Sequence, residues 1–205
     1  MKKLLVSTAI SFFIATGAFA GSAVYEAPEV AAIAAGITDW SGAYAGVTGG
    51  FITNGTGTYL YPNPGDVYDI SGSMYGVFGG YNIQRGSLVY GGEVAAQFGT
   101  YELDNGFGSH FSNMFDAKAR VGYVLGKAMM YGFAGYSFGH FDNQNTAGTT
   151  TPNGLNYGAG IDYLVSDRLF LGLEYIGRDM TGWFENTAGI NPNFGTVQLR
   201  AGMKF

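Results

Sequence analysis

The final nine residues, Val197-Gln198-Leu199-Arg200-Ala201-Gly202-Met203-Lys204-Phe205, sort their side chains by parity and end on an aromatic. Successive strand residues point to opposite faces. Val197, Leu199, Ala201, Met203 and Phe205 therefore share one face, while Gln198, Arg200 and Lys204 share the other. A strand that separates apolar from charged groups this cleanly needs a different medium on each side.

The N-terminus has the form of an export signal. Lys2 and Lys3 precede a largely apolar run from Leu4 to Phe19, and Ala18-Phe19-Ala20 is a small-x-small processing site. The run is shorter than the roughly 20 apolar residues of a spanning helix. We expect residues 1–20 to be a signal peptide, 21–38 a periplasmic leader with a short helix over residues 29–37, and 39–205 a barrel domain. Removing Lys2 and Lys3 takes the basic residues from 10 to 8 against 15 acidic ones, and the net charge from −5 to −7. That balance argues against nucleic acid as a partner. The absence of cysteine excludes disulfides and thiolate metal sites.

Charged residues make up 12% of the chain, about half the share in a soluble domain, while glycine reaches 35 residues and aromatics 16%. From Trp40 onward, strand patterns recur over residues 40–52, 70–84, 87–101, 109–125, 128–141, 154–165, 168–180 and 194–205. Arg85-Gly86, Gly126-Lys127 and Ser166-Asp167 read as tight turns. The links over 53–69, 102–108, 142–153 and 181–193 read as long loops. An even strand number with short turns at one end and long loops at the other predicts an all-β fold, an eight-stranded antiparallel up-and-down transmembrane β-barrel.

Parity assigns the faces. Asp116, Lys118 and Arg120 oppose Phe115, Ala117, Ala119, Val121, Tyr123 and Leu125; Arg168, Glu174 and Arg178 oppose Leu169, Leu171, Leu173 and Tyr175. Asp162 opposes Tyr157, Ala159, Ile161, Tyr163 and Val165, and Glu93 with Gln97 opposes Val94, Ala96 and Phe98. The first and fifth strands carry too few polar residues to assign. A soluble barrel would invert the arrangement, with apolar side chains inside. The charges are few, mixed in sign and mid-strand, and aromatics gather toward both strand ends on the apolar parity, as in interfacial girdles. With an export signal, these features favour lipid outside and charge inside, in a bacterial outer membrane.

The run Asp39-Trp40-Ser41-Gly42-Ala43-Tyr44-Ala45-Gly46-Val47, the segment Tyr75-Gly76-Val77-Phe78-Gly79-Gly80-Tyr81-Asn82, the step Tyr90-Gly91-Gly92-Glu93 and the terminal Phe205 resemble the small opacity-protein-like outer-membrane barrels, a porin family related in architecture to the OmpA transmembrane domain. The resemblance spans residues 39–205. It implies eight antiparallel strands and roles in envelope integrity or surface contact. It also implies periplasmic chaperones and an insertion machinery that reads the C-terminal strand, with Val197, Leu199, Ala201, Met203 and Phe205 as the assembly signal. No OmpA-type peptidoglycan-binding sequence follows Phe205, so that tethering function is expected to be absent.

Inside such a barrel, Glu93, Asp116, Lys118, Arg120, Asp162, Glu174, Arg178 and Arg200 are expected to form an ion-pair network, with Glu93 level with Lys118 and Arg120, and Glu174 beside Arg200. Eight strands leave an interior just wide enough for side chains. The network reads as a plug; the alternative is a gate whose pairs exchange to open a narrow porin path for ions or small solutes. Catalytic, metal and cofactor sites are not expected. His110 and His140 are the only histidines. A two-residue turn at Gly126-Lys127 sets His140 opposite Asn113, with His110 facing inward and His140 outward. The long loops hold Asp66, Asp69, Asp104, Asp142 and Glu185 but no Lys or Arg. This acidic crown suits solubility or a host or surface ligand and disfavours polyanions. Asp66 and Asp69 lack the ligand density of a dedicated Ca²⁺ site. Gly46-x-x-Gly49 and Gly76-x-x-Gly79 lie within strands, so they serve bending and aromatic packing rather than phosphate binding.

Overall fold

The computed structural model describes residues 38–61, 65–103, 110–143, 148–184 and 188–205. The expected signal peptide and nearly all of the expected leader lie outside the described residues, as do Asp104 and Glu185.

Nine strand segments follow one another: β1 (Gly42–Tyr61), β2 (Val67–Arg85), β3 (Leu88–Leu103), β4 (His110–Leu125), β5 (Ala128–Asn143), β6 (Gly148–Thr150), β7 (Asn153–Leu164), β8 (Leu169–Phe184) and β9 (Ala188–Lys204). All pairings are antiparallel. The order runs β4-β3-β2-β1-β9-β8-β7-β5, and β5 pairs back onto β4 to close the sheet. Both β6 and β7 pair with β5, so they form one stave broken at Thr151-Pro152. The result is a closed eight-staved barrel. Closure matters because an unpaired strand edge in hydrocarbon would leave backbone groups unsatisfied at several kcal/mol each.

Two turns are two residues long, with Gly86 and Gly126 at φ +60° and +58° in the left-handed region such hairpins require. The first is Gly86-Ser87, one residue later than the Arg85-Gly86 expected, because Arg85 itself pairs with Leu88. The third spans residues 165–168, closed by the Val165 amide donating to the Leu169 carbonyl at 2.9 Å.

The strands run further toward the long-loop end than their apolar alternation does. Residues 56–61 and 189–193, within spans expected as loops, pair with each other as strand. Backbone hydrogen bonding continues where the side chains become Thr, Asn and Gly, and pattern alone does not register it. The ladder irregularities lie at this end too: between Ile52 and Asn54, Tyr59 and Tyr61, Phe51 and Thr56, Phe98 and Tyr101, and Phe111 and Asn113. A broken ladder bond is tolerable there because water can satisfy it; below, lipid cannot.

The burial pattern fixes orientation. The charged parity is buried and the apolar parity exposed: Leu199 is 69% and Phe205 70% exposed, while Arg200 and Gln198 are buried. On β4 the outer apolar band begins at the short turn with Leu125 and ends ten residues up at Phe115, with Tyr81, Tyr123, Tyr163 and Phe205 toward its lower edge and Phe51, Tyr75 and Phe138 toward its upper one. At ~3.3 Å per residue and ~40° of tilt this is a band of about 25 Å, the height of an outer-membrane barrel's apolar zone.

Candidate functional site: the barrel interior

The lumen is filled in three layers. At the short-turn end, Trp40, Tyr44, Phe78, Met129, Tyr131, Phe133, Leu164 and Phe170 form one apolar cluster. Here β1 and β5 receive the faces that polarity could not assign: Tyr44, Tyr131 and Phe133 point inward. Trp40 is 1% exposed, its ring 5.7 Å edge-on from Phe170, its amide donating to Gln84 Oε1 at 2.7 Å and its carbonyl accepting from Asn82 Nδ2 at 3.2 Å. It corks the periplasmic mouth. At the other end Ile70, Met74, Met114, Phe141, Met180, Ile190 and Phe194 form a second cluster.

Large inward rings fit because glycine stands across from them. Gly80 pairs with Tyr44, and a Cβ there would lie 2.3 Å from the Tyr44 hydroxyl; Gly202 pairs with Phe170, and a Cβ there would lie 2.3 Å from the ring tip. Gly46 likewise pairs with Phe78.

Between the clusters lies an ionic belt. Glu93 and Lys118 are directly paired on β3 and β4, as their heights implied, and the Lys118 ammonium lies 3.1 Å from Glu93 and 2.7 Å from Glu174. Arg120 donates to Glu93 at 3.0 Å. Arg200 donates to both oxygens of Glu93, at 3.0 and 2.6 Å, and to Glu174 at 2.6 Å. Tyr44 and Tyr131 hydroxyls donate to Glu93 and Glu174 at 3.0 and 2.9 Å. One layer up, Arg178 spans to Asp116 at 2.6 Å, and Ser137 donates to the same carboxylate at 2.5 Å. The layers are joined by a relay in which Arg178 donates to Gln97 at 3.0 Å, Gln97 to Gln198 at 3.2 Å, and Gln198 to Glu174 at 2.6 Å.

All eight residues of the expected network are thus buried in the lumen, and each acid has a cation within 4 Å. The two signs balance within each layer: Glu93, Asp162 and Glu174 against Lys118, Arg120 and Arg200, and Asp116 against Arg178. Desolvating an unpaired ion costs several kcal/mol, so neutrality by layer is what a sealed interior requires. Cations also lie on the plug rings, Arg200 4.0 Å from the Phe78 centroid and Arg120 4.6 Å from that of Tyr44.

Asp162 is the loosest member. Arg200 Nε and Arg120 Nη1 approach it only to 3.6 and 3.8 Å, and neither of its oxygens accepts a hydrogen bond. The residues that sequence reading left out of the network are Tyr44, Asn82, Gln97, Tyr131, Ser137, Asn156, Thr196 and Gln198. Thr196 shares the parity of Arg200; the two tyrosines lie on the first and fifth strands, which carry too few polar residues for parity to say which side is inside.

Arg168 shares the parity of Glu174 but is exposed in the 165–168 turn, below the lumen. His140 is exposed opposite Asn113, on the outer face as expected. A bulge between Phe111 and Asn113 sets His110 opposite Asp142. Among the described residues no three His, Asp or Glu side chains gather as a metal site, and Asp66 and Asp69 are exposed. A hollow of about 700 Å³, lined by Val121, Gly132, Ala159, Ile161, Leu173 and Tyr175, opens on the lipid-facing wall and is not a path through the lumen.

A closed antiparallel barrel with a greasy outer belt and an ionic, plugged interior is an integral outer-membrane protein of Gram-negative type. The chain belongs to the outer membrane protein beta-barrel domain family, whose model matches residues 13–205. It is 31% identical over 180 residues to a 25 kDa outer-membrane immunogenic protein of Brucella ovis, covering 84% of this chain and 86% of that one. It is also 31% identical over 134 residues to a 22 kDa outer membrane protein of Rhizobium leguminosarum bv. viciae, covering 64% of each chain, just under two thirds of that relative's length. Among solved structures, the outer membrane protein OprG of Pseudomonas aeruginosa shares the fold at TM-score 0.51 and 12% identity, covering 80% of this chain and 96% of that one.

Proposed function

We propose that the protein is a closed, non-enzymatic barrel that serves envelope integrity or surface contact. One observation carries the reading: among the described residues the lumen holds a charge-balanced belt between two apolar plugs, with its acids paired to cations. The Brucella relative is named for its immunogenicity, which supports exposure of the loop end at the cell surface. Its lipids are those of the outer membrane, and the β9 residues Val197, Leu199, Ala201, Met203 and Phe205 form the face offered to the insertion machinery. The acidic long-loop end is the side available to a host or surface ligand.

The alternative is a narrow pore for ions or small solutes. The slack around Asp162 favours it, because Arg120 or Arg200 has a spare acceptor to turn to if Glu93 or Glu174 lets go. Planar-bilayer recording of the purified protein, paired with detergent sensitivity of a deletion strain, tests the choice. The closed reading expects a silent bilayer and a sensitised strain. Stable single-channel conductance with an unaltered envelope would favour the pore.

A further inference from the structure

We propose that the outer face of the upper β8 stave, centred on Trp183, seats a neutral sugar ring of the glycolipid surrounding the barrel in the outer leaflet. Trp183 is 63% exposed and faces outward, with its backbone carbonyl held at 2.8 Å by the hydroxyl of Thr150. Its neighbour on β9 is Gly189, which has no side chain. On the other side Thr181 pairs with Asn153, which brings Thr151 alongside. The indole therefore lies open on the sheet, flanked by the exposed hydroxyls of Thr149, Thr151 and Thr181.

Height separates this tryptophan from an ordinary interfacial anchor. The apolar band ends on this side at Leu155, which pairs with Asp179. Trp183 lies four residues beyond Asp179 on the same strand, which at ~3.3 Å per residue and ~40° of tilt is about 10 Å above the hydrocarbon boundary. At that level a Gram-negative outer leaflet presents sugar. The ring faces sideways, continuing the lipid-facing wall upward, so it meets a neighbouring lipid rather than a ligand above the loops.

The charge on this face selects among headgroup chemistries. Thr149, Thr151, Asn153, Asp179, Thr181 and Asn193 are described outward residues around Trp183; none is Lys or Arg, and the one basic side chain described nearby on the outer face is His140, on the far side of Thr151. Phosphate would find no Lys or Arg among these residues. A pyranose, in contrast, offers a C–H face to an aromatic ring and hydroxyls to amide, hydroxyl and carboxylate groups, which is the set this surface provides.

The chain has two tryptophans, and Trp40 is buried, so fluorescence reachable by acrylamide comes from Trp183. The protein is reconstituted in phospholipid vesicles, in phospholipid with lipid A, and in phospholipid with lipopolysaccharide carrying its core oligosaccharide. We expect the acrylamide quenching constant to fall roughly threefold only in the last, as the indole becomes covered on one face. Trp183→Phe should abolish the quenchable signal while the barrel keeps its heat-modifiable mobility on gels. Soluble core oligosaccharide added to the phospholipid vesicles at the same concentration should leave the constant unchanged. Equal quenching in all three membranes, protection by phospholipid or lipid A alone, or full protection by the soluble sugar would each overturn the proposal.

Discussion

Arg178 on β8 reaches across the lumen to Asp116 on β4, Nη2 to Oδ2 at 2.6 Å, joining two staves that do not neighbour each other in the sheet. Both side chains are buried, so the pair acts as a strut as well as a neutralised charge. Removing Asp116 takes the facing carboxylate from a buried guanidinium, and removing Arg178 takes the cation at 2.6 Å from a buried carboxylate. We expect Asp116→Asn or Arg178→Met to destabilise the barrel by about 3–5 kcal/mol in urea unfolding, and Asp116→Leu with Arg178→Met together to recover most of the loss.

Phe170 and Gly202 make a second testable pair. A methyl on Gly202 meets the Phe170 ring rather than backbone, so the conflict lies between two side chains. Gly202→Ala should cost about 1–3 kcal/mol, and Phe170→Leu in the same chain should reduce that penalty, a coupling a double-mutant cycle reads directly.

The plug and the belt should act in series. Trimming the lower aromatic layer alone, as Tyr44→Ala with Phe170→Ala, leaves Lys118, Arg120 and Arg200 still locked to Glu93 and Glu174. We expect bilayers to stay near silent until Glu93→Gln and Glu174→Gln are added, when brief conductance events should appear.

Orientation can be checked chemically because the chain has no cysteine. Cysteine at Leu171 or Leu199 should react with a lipid-soluble maleimide and resist a charged one, whereas cysteine at Gln198 should resist both until the barrel is unfolded.

At the periplasmic edge, the Ser41 backbone amide donates to the Asp39 carboxylate at 2.8 Å and holds its pKa below the ordinary carboxylate value. A depressed acid stabilises the fold above its unfolded pKa and loses that contribution as pH falls through the folded one. Fluorescence of the Trp40 region should therefore show a small acid transition below about pH 4, absent in Asp39→Asn.

Much of this architecture was legible in residue order. In β3, β4, β7, β8 and β9, charges such as Glu93, Lys118, Asp162, Glu174 and Arg200 mark the inner parity against continuous apolar outer residues. In β1 and β5 that marker is missing: Tyr44, Tyr131 and Phe133 face inward as plug, and only the closed sheet, with Gly80 and Gly160 opposite the tyrosines, shows why rings fit there. The strand ends were hidden for another reason. Above the band both faces carry Thr, Asn and Gly, so alternation fades while pairing continues to Tyr61 and Gly189.

The confinement of ladder irregularities to the distal part of the staves implies a division of evolutionary freedom. Sequence at the bulges between Phe51 and Tyr61 on β1, Phe98 and Tyr101 on β3, or Phe111 and Asn113 on β4 can gain or lose a residue by shifting a bulge, without passing the change to the register below. Natural length variation and engineered peptide display would be accommodated by the same slack.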